Sequence, residues 1–412
     1  MATSDFHEGA ATEGLRGARA GVLLLIGVLL IAANMRATIT GIGPLLDQIG
    51  EDFGISATTL GVLAALPLVA WAVVSPLAHD LSIRFGLARV ILWAIVLLTA
   101  GTVWRSLPGN ELNLWLGTIT IGVALAVANV LMPAVIKRDF SLRVAGVTGV
   151  YTALLGGFGA LASGVVVPIS NIQTESGPLG WQAALLATGI LLPFAIALWA
   201  WATNARGPEH VPRRAPGRRV PTGIWTDRVA WLVAGYMGLQ AAAFYMLVTW
   251  LAPISTSTGR TAVVAGIDVM VFQIFGVVGS LVIPFLLRGR MQRWVPALLP
   301  SLAIAGTIGL IIAPAAVLVW GSLAGLSTGA SIGMSLTLMA QRARNHTTAA
   351  ALSGMSQSIG YVIAALGPIL FGALHTLSGG WLLPLLLLLV ALIGQGVIGI
   401  AVGRDRFVLE PR

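Results

Sequence analysis

The sequence predicts an all-α membrane protein of twelve transmembrane helices arranged as two pseudo-symmetric six-helix bundles. Three observations carry this prediction. Apolar residues make up 57% of the 412 and charged residues only 9%, against about 25% charged in a soluble domain. Too few charges remain to build a water-facing surface, so lipid must solvate most of the chain. A spanning helix needs about 20 mostly apolar residues to cross about 30 Å of hydrocarbon, and twelve such windows follow one another. Finally, 21 of the 24 basic residues fall in alternate connecting segments.

The windows lie at 20–43, 58–80, 88–106, 112–136, 144–170, 181–203, 229–252, 263–287, 294–313, 315–341, 347–374 and 381–403. Residues 1–19 form a polar tail with Asp5, Glu8 and Glu13, and the run after them exceeds a signal-peptide core of about 7–15 residues. It is a retained first span. Spans 9 and 10 are separated by little more than Pro314. Because cytoplasmic loops retain Lys and Arg, the basic segments around Arg84, Lys137, Arg213, Arg290, Arg342 and Arg404 set both termini in the cytoplasm. Arg105 and Arg260 fall on the outer side, and Arg36 lies inside span 1.

Residues 204–228 carry six arginines and Pro208, Pro212, Pro216 and Pro221. They read as a cytoplasmic linker near anionic lipid that divides a first bundle (20–203) from a second (229–403), with 404–412 as a cytoplasmic tail. The halves echo each other: Lys137 and Arg342 close spans 4 and 10, and Gly149 and Gly354 lie in spans 5 and 11, each pair 205 positions apart. Parallel repeats about a membrane-normal axis are a transporter architecture, with substrate bound at mid-depth between them.

The same composition excludes several function classes. With no cysteine there is neither a disulfide nor a thiolate site, and five scattered histidines form no ligand-spaced pair. No cofactor is expected. The net charge of +9 reads as membrane topology rather than as a nucleic-acid footprint. The spans lack the clustered His, Asp and Glu that hydrolysis or metal catalysis requires, so an enzyme is not expected. Gly157-Phe158-Gly159-Ala160-Leu161-Ala162 lies inside a span, where small residues let helices approach, and is no dinucleotide fingerprint.

Arg36 is the most informative residue. It lies 17 residues into span 1, about 25 Å along at 1.5 Å per residue. Arginine at such depth costs at least about 2.5–3.5 kcal/mol and normally faces a cavity. Its planar fork suits carboxylates and similar anions, although pairing with an acid such as Asp47 would explain it as well. A guanidinium cannot carry a proton on and off, so coupling falls to other groups. Asp268 in span 8 and His375 near the outer end of span 11 are the titratable candidates, with a helix N-terminal charge interaction and a loop-facing ring as their respective alternatives. Asn34, Gln240, Tyr245, Gln273, Gln357 and Tyr361 offer polar or aromatic groups near mid-depth, with interhelical hydrogen bonding as the alternative. Gln357 and Tyr361 share a helix face. Asn129 and Tyr151 lie nearer the inside as gate candidates.

The chain resembles the major facilitator superfamily, in its branch of cyanate and 2-nitroimidazole transporters. Asn34-Met35-Arg36, Gly43-Pro44-Leu45-Leu46-Asp47, Met132-Pro133-Ala134-Val135-Ile136-Lys137-Arg138, Gly238-Leu239-Gln240, Trp250-Leu251-Ala252-Pro253 and Leu352-Ser353-Gly354-Met355-Ser356-Gln357-Ser358-Ile359-Gly360-Tyr361 carry the resemblance in order along the chain. There are departures. Arg84-Phe85-Gly86 fits the superfamily's loop between spans 2 and 3, but Ile83 stands where an Asp is usual, and Asp80 is spaced to pair with Arg84 instead. Ala37 follows the arginine where the branch commonly has Pro. The resemblance implies a monomeric secondary transporter of the inner membrane working by alternating access. Its cargo on this reading is a small organic or inorganic anion, with a coupled proton or exchanged anion. The runner-up is export of small heteroaromatic antimicrobials. A receptor or channel is the remote alternative.

Overall fold

A computed structural model describes residues 4–175, 177–204, 223–287 and 292–410. Twelve helices are long and apolar enough to span a membrane: Gly21–Phe53, Ala57–Phe85, Leu87–Arg105, Glu111–Asp139, Gly146–Ser170, Gly180–Asn204, Arg228–Ser257, Ala262–Leu286, Val295–Ile312, Pro314–Gln341, Thr348–Ser378 and Leu382–Val402. These are spans 1–12, and each coincides with a window expected from the sequence. Most of the linker expected at 204–228 lies outside the described residues. The first helix starts at Ser4, within the segment read as a tail.

Side-chain caps mark where several spans begin. Ser56, Asn110, Asp227, Thr261 and Asn345 each accept a hydrogen bond from a backbone N–H in the first turn of spans 2, 4, 7, 8 and 11. Such caps satisfy donors that a helix start leaves free. Span 1 is interrupted: its helix ends at Thr40, a 3-10 turn runs Gly43–Leu45, and the helix resumes as Leu46–Phe53. Pro314 does mark the junction of spans 9 and 10, opening a 3-10 turn at the start of span 10. Among the described residues one pair of short strands joins the helices, β1 (Gln173–Thr174) paired antiparallel with β2 (Gly177–Pro178).

Span 12 illustrates how lipid is met. Val390, Ile393, Val397 and Ile400 form an exposed stripe at helical spacing, while Leu388, Leu392, Gln395 and Gly399 are buried on the other side. Apolar residues on both sides are what a lipid-facing helix requires. Within the first six spans, 1 packs on 5 and 3 on 4; within the last six, 7 packs on 11 and 8 on 10. Spans 2 and 11, and spans 5 and 8, form the two seams between the halves.

Twelve antiparallel crossings put the start of span 1 and the end of span 12 on one face, termed the terminal face. The halves close at the opposite face. There the Thr58 hydroxyl meets that of Thr376 at 3.0 Å and Thr256 donates to Asp47 at 3.0 Å. Gly43 lies so close to span 7 that a Cβ would stand 2.5 Å from the Val248 carbonyl oxygen. Toward the terminal face the halves part: around Gly146, Gly149 and Gly354 nothing comes within 4 Å of such a Cβ.

Candidate functional site

Between the halves lies a cavity of about 250 Å³. Spans 1, 2, 4 and 5 contribute Arg36, Trp71, Asn129 and Thr152 to its wall. Spans 7, 8, 10 and 11 contribute Gln240, Phe244 and Tyr245, then Gln273 and Ser280, Thr328, and finally Gln357 and Tyr361. Arg36, Gln240, Tyr245, Gln273, Gln357 and Tyr361, singled out as contact residues from the sequence, thus surround one space. Asn129, expected at a gate, joins them there.

Arg36 is half-buried, and its guanidinium carbon sits 4.8 Å from the centre of the Phe244 ring. That contact contributes about 0.5–2 kcal/mol, more as water is excluded. Among the described residues its side chain has no carboxylate or hydrogen-bond acceptor. Asp47, the acid considered as its partner, instead accepts from Thr256 at the opposite face. Gly159 makes room for the arginine stem, since a Cβ there would lie 2.6 Å from Arg36 Cγ.

The neighbouring polar groups are partly spent. Gln273 Nε2 donates to Ser163 Oγ at 2.7 Å and to the Gly159 carbonyl at 3.3 Å, tying span 8 to span 5 across the seam. Gln357 donates to Ser353 Oγ at 2.9 Å. Gln240 turns its amide nitrogen to Met237 Sδ at 3.3 Å, and its Oε1 is buried with no donor among the described residues. Trp71 Nε1 is likewise buried with no acceptor among the described residues. An unmet donor or acceptor of this kind costs about 1–3 kcal/mol, which a polar ligand reaching it would remove. Four rings interlock beside these groups. Trp71 meets Tyr361 and Tyr245 edge-on, with centroids 5.2 and 6.3 Å apart, and Tyr245 meets Phe244 at 5.1 Å.

Other candidates lie elsewhere. Asn34 is 1% exposed, donates to the Leu30 carbonyl, and borders a separate apolar pocket among spans 1, 5 and 6. Two residues from Arg36 at about 100° each turn it away from the cavity. Tyr151 is buried between spans 5 and 1, its hydroxyl directed at Met35 Sδ. Asp268 is held at the opposite face by Arg260 Nη2 at 2.9 Å and Ser255 Oγ at 2.6 Å, so it is committed to an ion pair there. His375 lies against Trp381 with ring centroids 3.9 Å apart, also outside the cavity. The expected Asp80–Arg84 pair does not form: both side chains are exposed and Arg84 rests 5.2 Å over the Phe85 ring. Exposed pairs of this kind are worth about 0–1 kcal/mol, too little to fix two long side chains.

Trp71 was missed by reasoning from sequence, and a signal existed. Indoles favour the membrane boundary, whereas Trp71 lies near the middle of a 29-residue span. Arg105, placed at the outer side, is in fact 1% exposed, and its Nη1 donates at 2.8 Å to the Thr38 carbonyl. The break in span 1 releases that carbonyl, because Ile42 N–H turns to Ile39 instead. Among the described residues no His, Asp and Glu cluster is arranged to hold a metal ion.

Residues 24–365 match the model of the Major Facilitator Superfamily. The chain is 37% identical to the 2-nitroimidazole transporter of Escherichia coli (strain K12), over 93% of this chain and 96% of that protein. It is 28% identical to the cyanate transport protein CynX of the same organism, over 93% and 98%. Among solved structures, an inward-facing, occupied bacterial homolog of the human lysosomal transporter Spinster superposes with a TM-score of 0.73 at 15% identity, covering 92% of this chain and 93% of that one. Family and relatives are transporters of small molecules rather than enzymes, and the chain is a multi-pass membrane protein. It belongs to the major facilitator superfamily.

Proposed function

We propose that this transporter moves a small, flat anion across the inner membrane by alternating access, with Arg36 as the anion's anchor. The observation that carries the reading is a permanently charged guanidinium with no acceptor among the described residues, facing a cavity shared by both halves. Gln240 Oε1 and Trp71 Nε1, both unsatisfied, supply an acceptor and a donor to the cargo. The ring cluster of Trp71, Phe244, Tyr245 and Tyr361 lines the same cavity. Relatives named for transport of cyanate and of 2-nitroimidazole support a small cargo.

On this reading the terminal face is cytoplasmic, both chain ends lie there, and the closed face is the outer gate. Asp47 with Thr256 and Thr58 with Thr376 bridge the halves at that gate and must part when it opens, whereas Asp268 with Arg260 and Ser255 lies within the second half and can move with it. A single chain suffices, since both halves of the cavity are in it. Inward movement of an anion against the membrane potential costs about 2.3 kcal/mol per charge per 100 mV, so uptake takes a coupled proton or an exchanged anion.

Thermal-shift titration of purified protein tests the assignment, because a ligand of the native state raises apparent stability with concentration. Cyanate should stabilise the wild type and have no effect on Arg36→Ala. An unchanged cyanate response in Arg36→Ala removes the anchor role. The four interlocked rings favour one second reading, export of a planar heteroaromatic compound. In that case Arg36→Ala keeps its response to 2-nitroimidazole, and Trp71→Leu loses it.

A further inference from the structure

A second and larger cavity, of about 680 Å³, lies on the terminal face between the start of span 7 and the end of span 12. The segment after span 12 closes one side of it by folding back. Val408 N–H donates to the Arg342 carbonyl and Leu409 N–H to Asp227 Oδ2, both at 2.9 Å. Three arginines border the space, Arg228, Arg404 and Arg406, beside the apolar Val229, Leu232 and Phe407.

The charges around this cavity are not balanced. Asp227 and Glu410 are its two acids, and both are already engaged. Asp227 caps span 7 through Ala230 N–H and holds Leu409, while Glu410 accepts from Arg344 and from Phe407 N–H. Among the described residues, the side chains of Arg228, Arg404 and Arg406 have no carboxylate partner and no hydrogen-bond acceptor. Three such forks around one opening match an anion with several oxygens. Arginine recognises phosphate in this bidentate manner. The apolar wall calls for a carbon skeleton attached to it. Trp225 and Trp231 stand exposed at the same end of span 7, 53% and 45%, with Trp231 Nε1 donating to the Trp225 carbonyl. Exposed indoles at a span end mark the membrane boundary, which sets the cavity at headgroup depth.

We propose that this cavity binds a phosphate-bearing anion, its oxygens held by Arg228, Arg404 and Arg406 and its carbon skeleton lying against Val229, Leu232 and Phe407. The same chemistry is offered by an anionic phospholipid headgroup and by soluble phosphate.

The test uses the full-length protein in detergent at fixed ionic strength, with dioctanoyl-phosphatidylglycerol and inorganic phosphate as separate probes in thermal-shift titrations. Two triple variants are compared: Arg228→Gln, Arg404→Gln and Arg406→Gln around the cavity, and Arg84→Gln, Arg89→Gln and Arg143→Gln on the other half. The second set removes the same charge from exposed positions and serves as control. The first set should weaken half-saturation by at least about tenfold, and the control set by less than about twofold. A response to phosphatidylglycerol alone assigns the site to lipid; one to inorganic phosphate assigns it to a soluble ligand. No saturable response to either probe overturns the proposal. So does an equal loss in both variants, which would mean diffuse attraction to surface charge. Cooperative ligand-free unfolding at the wild-type thermal midpoint provides an internal check that both variants are folded, independent of what the central cavity binds.

Discussion

Two arginines lie among apolar residues in the first half of this protein, and they differ in how their hydrogen-bonding capacity is used. Arg105 is sealed at the end of span 3 and holds the carbonyl that the break in span 1 releases. Arg36 lies two residues before that carbonyl, half-buried, its cationic end against Phe244 and its donors turned to open volume. Both carry the cost of a charge within a spanning segment. In one the backbone offsets part of that cost, whereas the other has only an aromatic face. Burial of a charge therefore points to cargo only where its donors remain unspent and reachable.

The largest expected effect breaks the comparison if it fails. Arg36→Gln should weaken cyanate affinity about 100-fold, as expected for loss of a charge-assisted pair worth about 1.5–3 kcal/mol. The ligand-free thermal midpoint should stay within about 2 °C, because no partner within the described residues is orphaned. Next is Gly159→Val, whose Cβ would overlap the Arg36 stem. Isothermal titration should show about tenfold weaker cyanate binding with the fold retained.

Arg105→Met should do the reverse. It orphans the Thr38 carbonyl at a cost of about 1–3 kcal/mol while relieving two unmatched donors on Nε and Nη2. The outcome to look for is a midpoint lowered by a few degrees with affinity within about threefold. The smallest effect concerns the seam. Gln273→Leu removes the bonds to Ser163 and Gly159 and should slow disulfide formation between Thr58→Cys and Thr376→Cys about two- to fivefold. The native chain has no cysteine to interfere.

Span number was legible because hydrocarbon thickness and helical rise fix the length of an apolar run, whereas some ends were not: span 1 runs on to Phe53 and span 2 to Phe85, past the expected 43 and 80. Pro314 was enough to part spans 9 and 10 for the same reason. Arg36 stood out because a charge within such a run is conspicuous. What one sequence does not encode locally is azimuth: which side of a helix meets a neighbour depends on packing. Asn34, two residues from Arg36, turns to a separate pocket among spans 1, 5 and 6, and the Tyr151 hydroxyl is directed at Met35 Sδ. Asp80 and Arg84 had the right spacing, but an exposed pair has too little energy to hold that geometry. Trp71 differs: its mid-span position is a signal in the sequence, but the partners it meets, Tyr245 and Tyr361, come from the other half and are fixed only by the fold. The committed state of Asp268 depended on Arg260 and Ser255 reaching it from the neighbouring span and loop, which only the fold reveals.

Uptake of radiolabelled cyanate into proteoliposomes holding wild type, Arg36→Gln or Arg105→Met tests the division of labour between the two arginines most directly. The account predicts uptake lost in Arg36→Gln and retained, with near-native half-saturation, in Arg105→Met. Wild-type uptake by Arg36→Gln would contradict it.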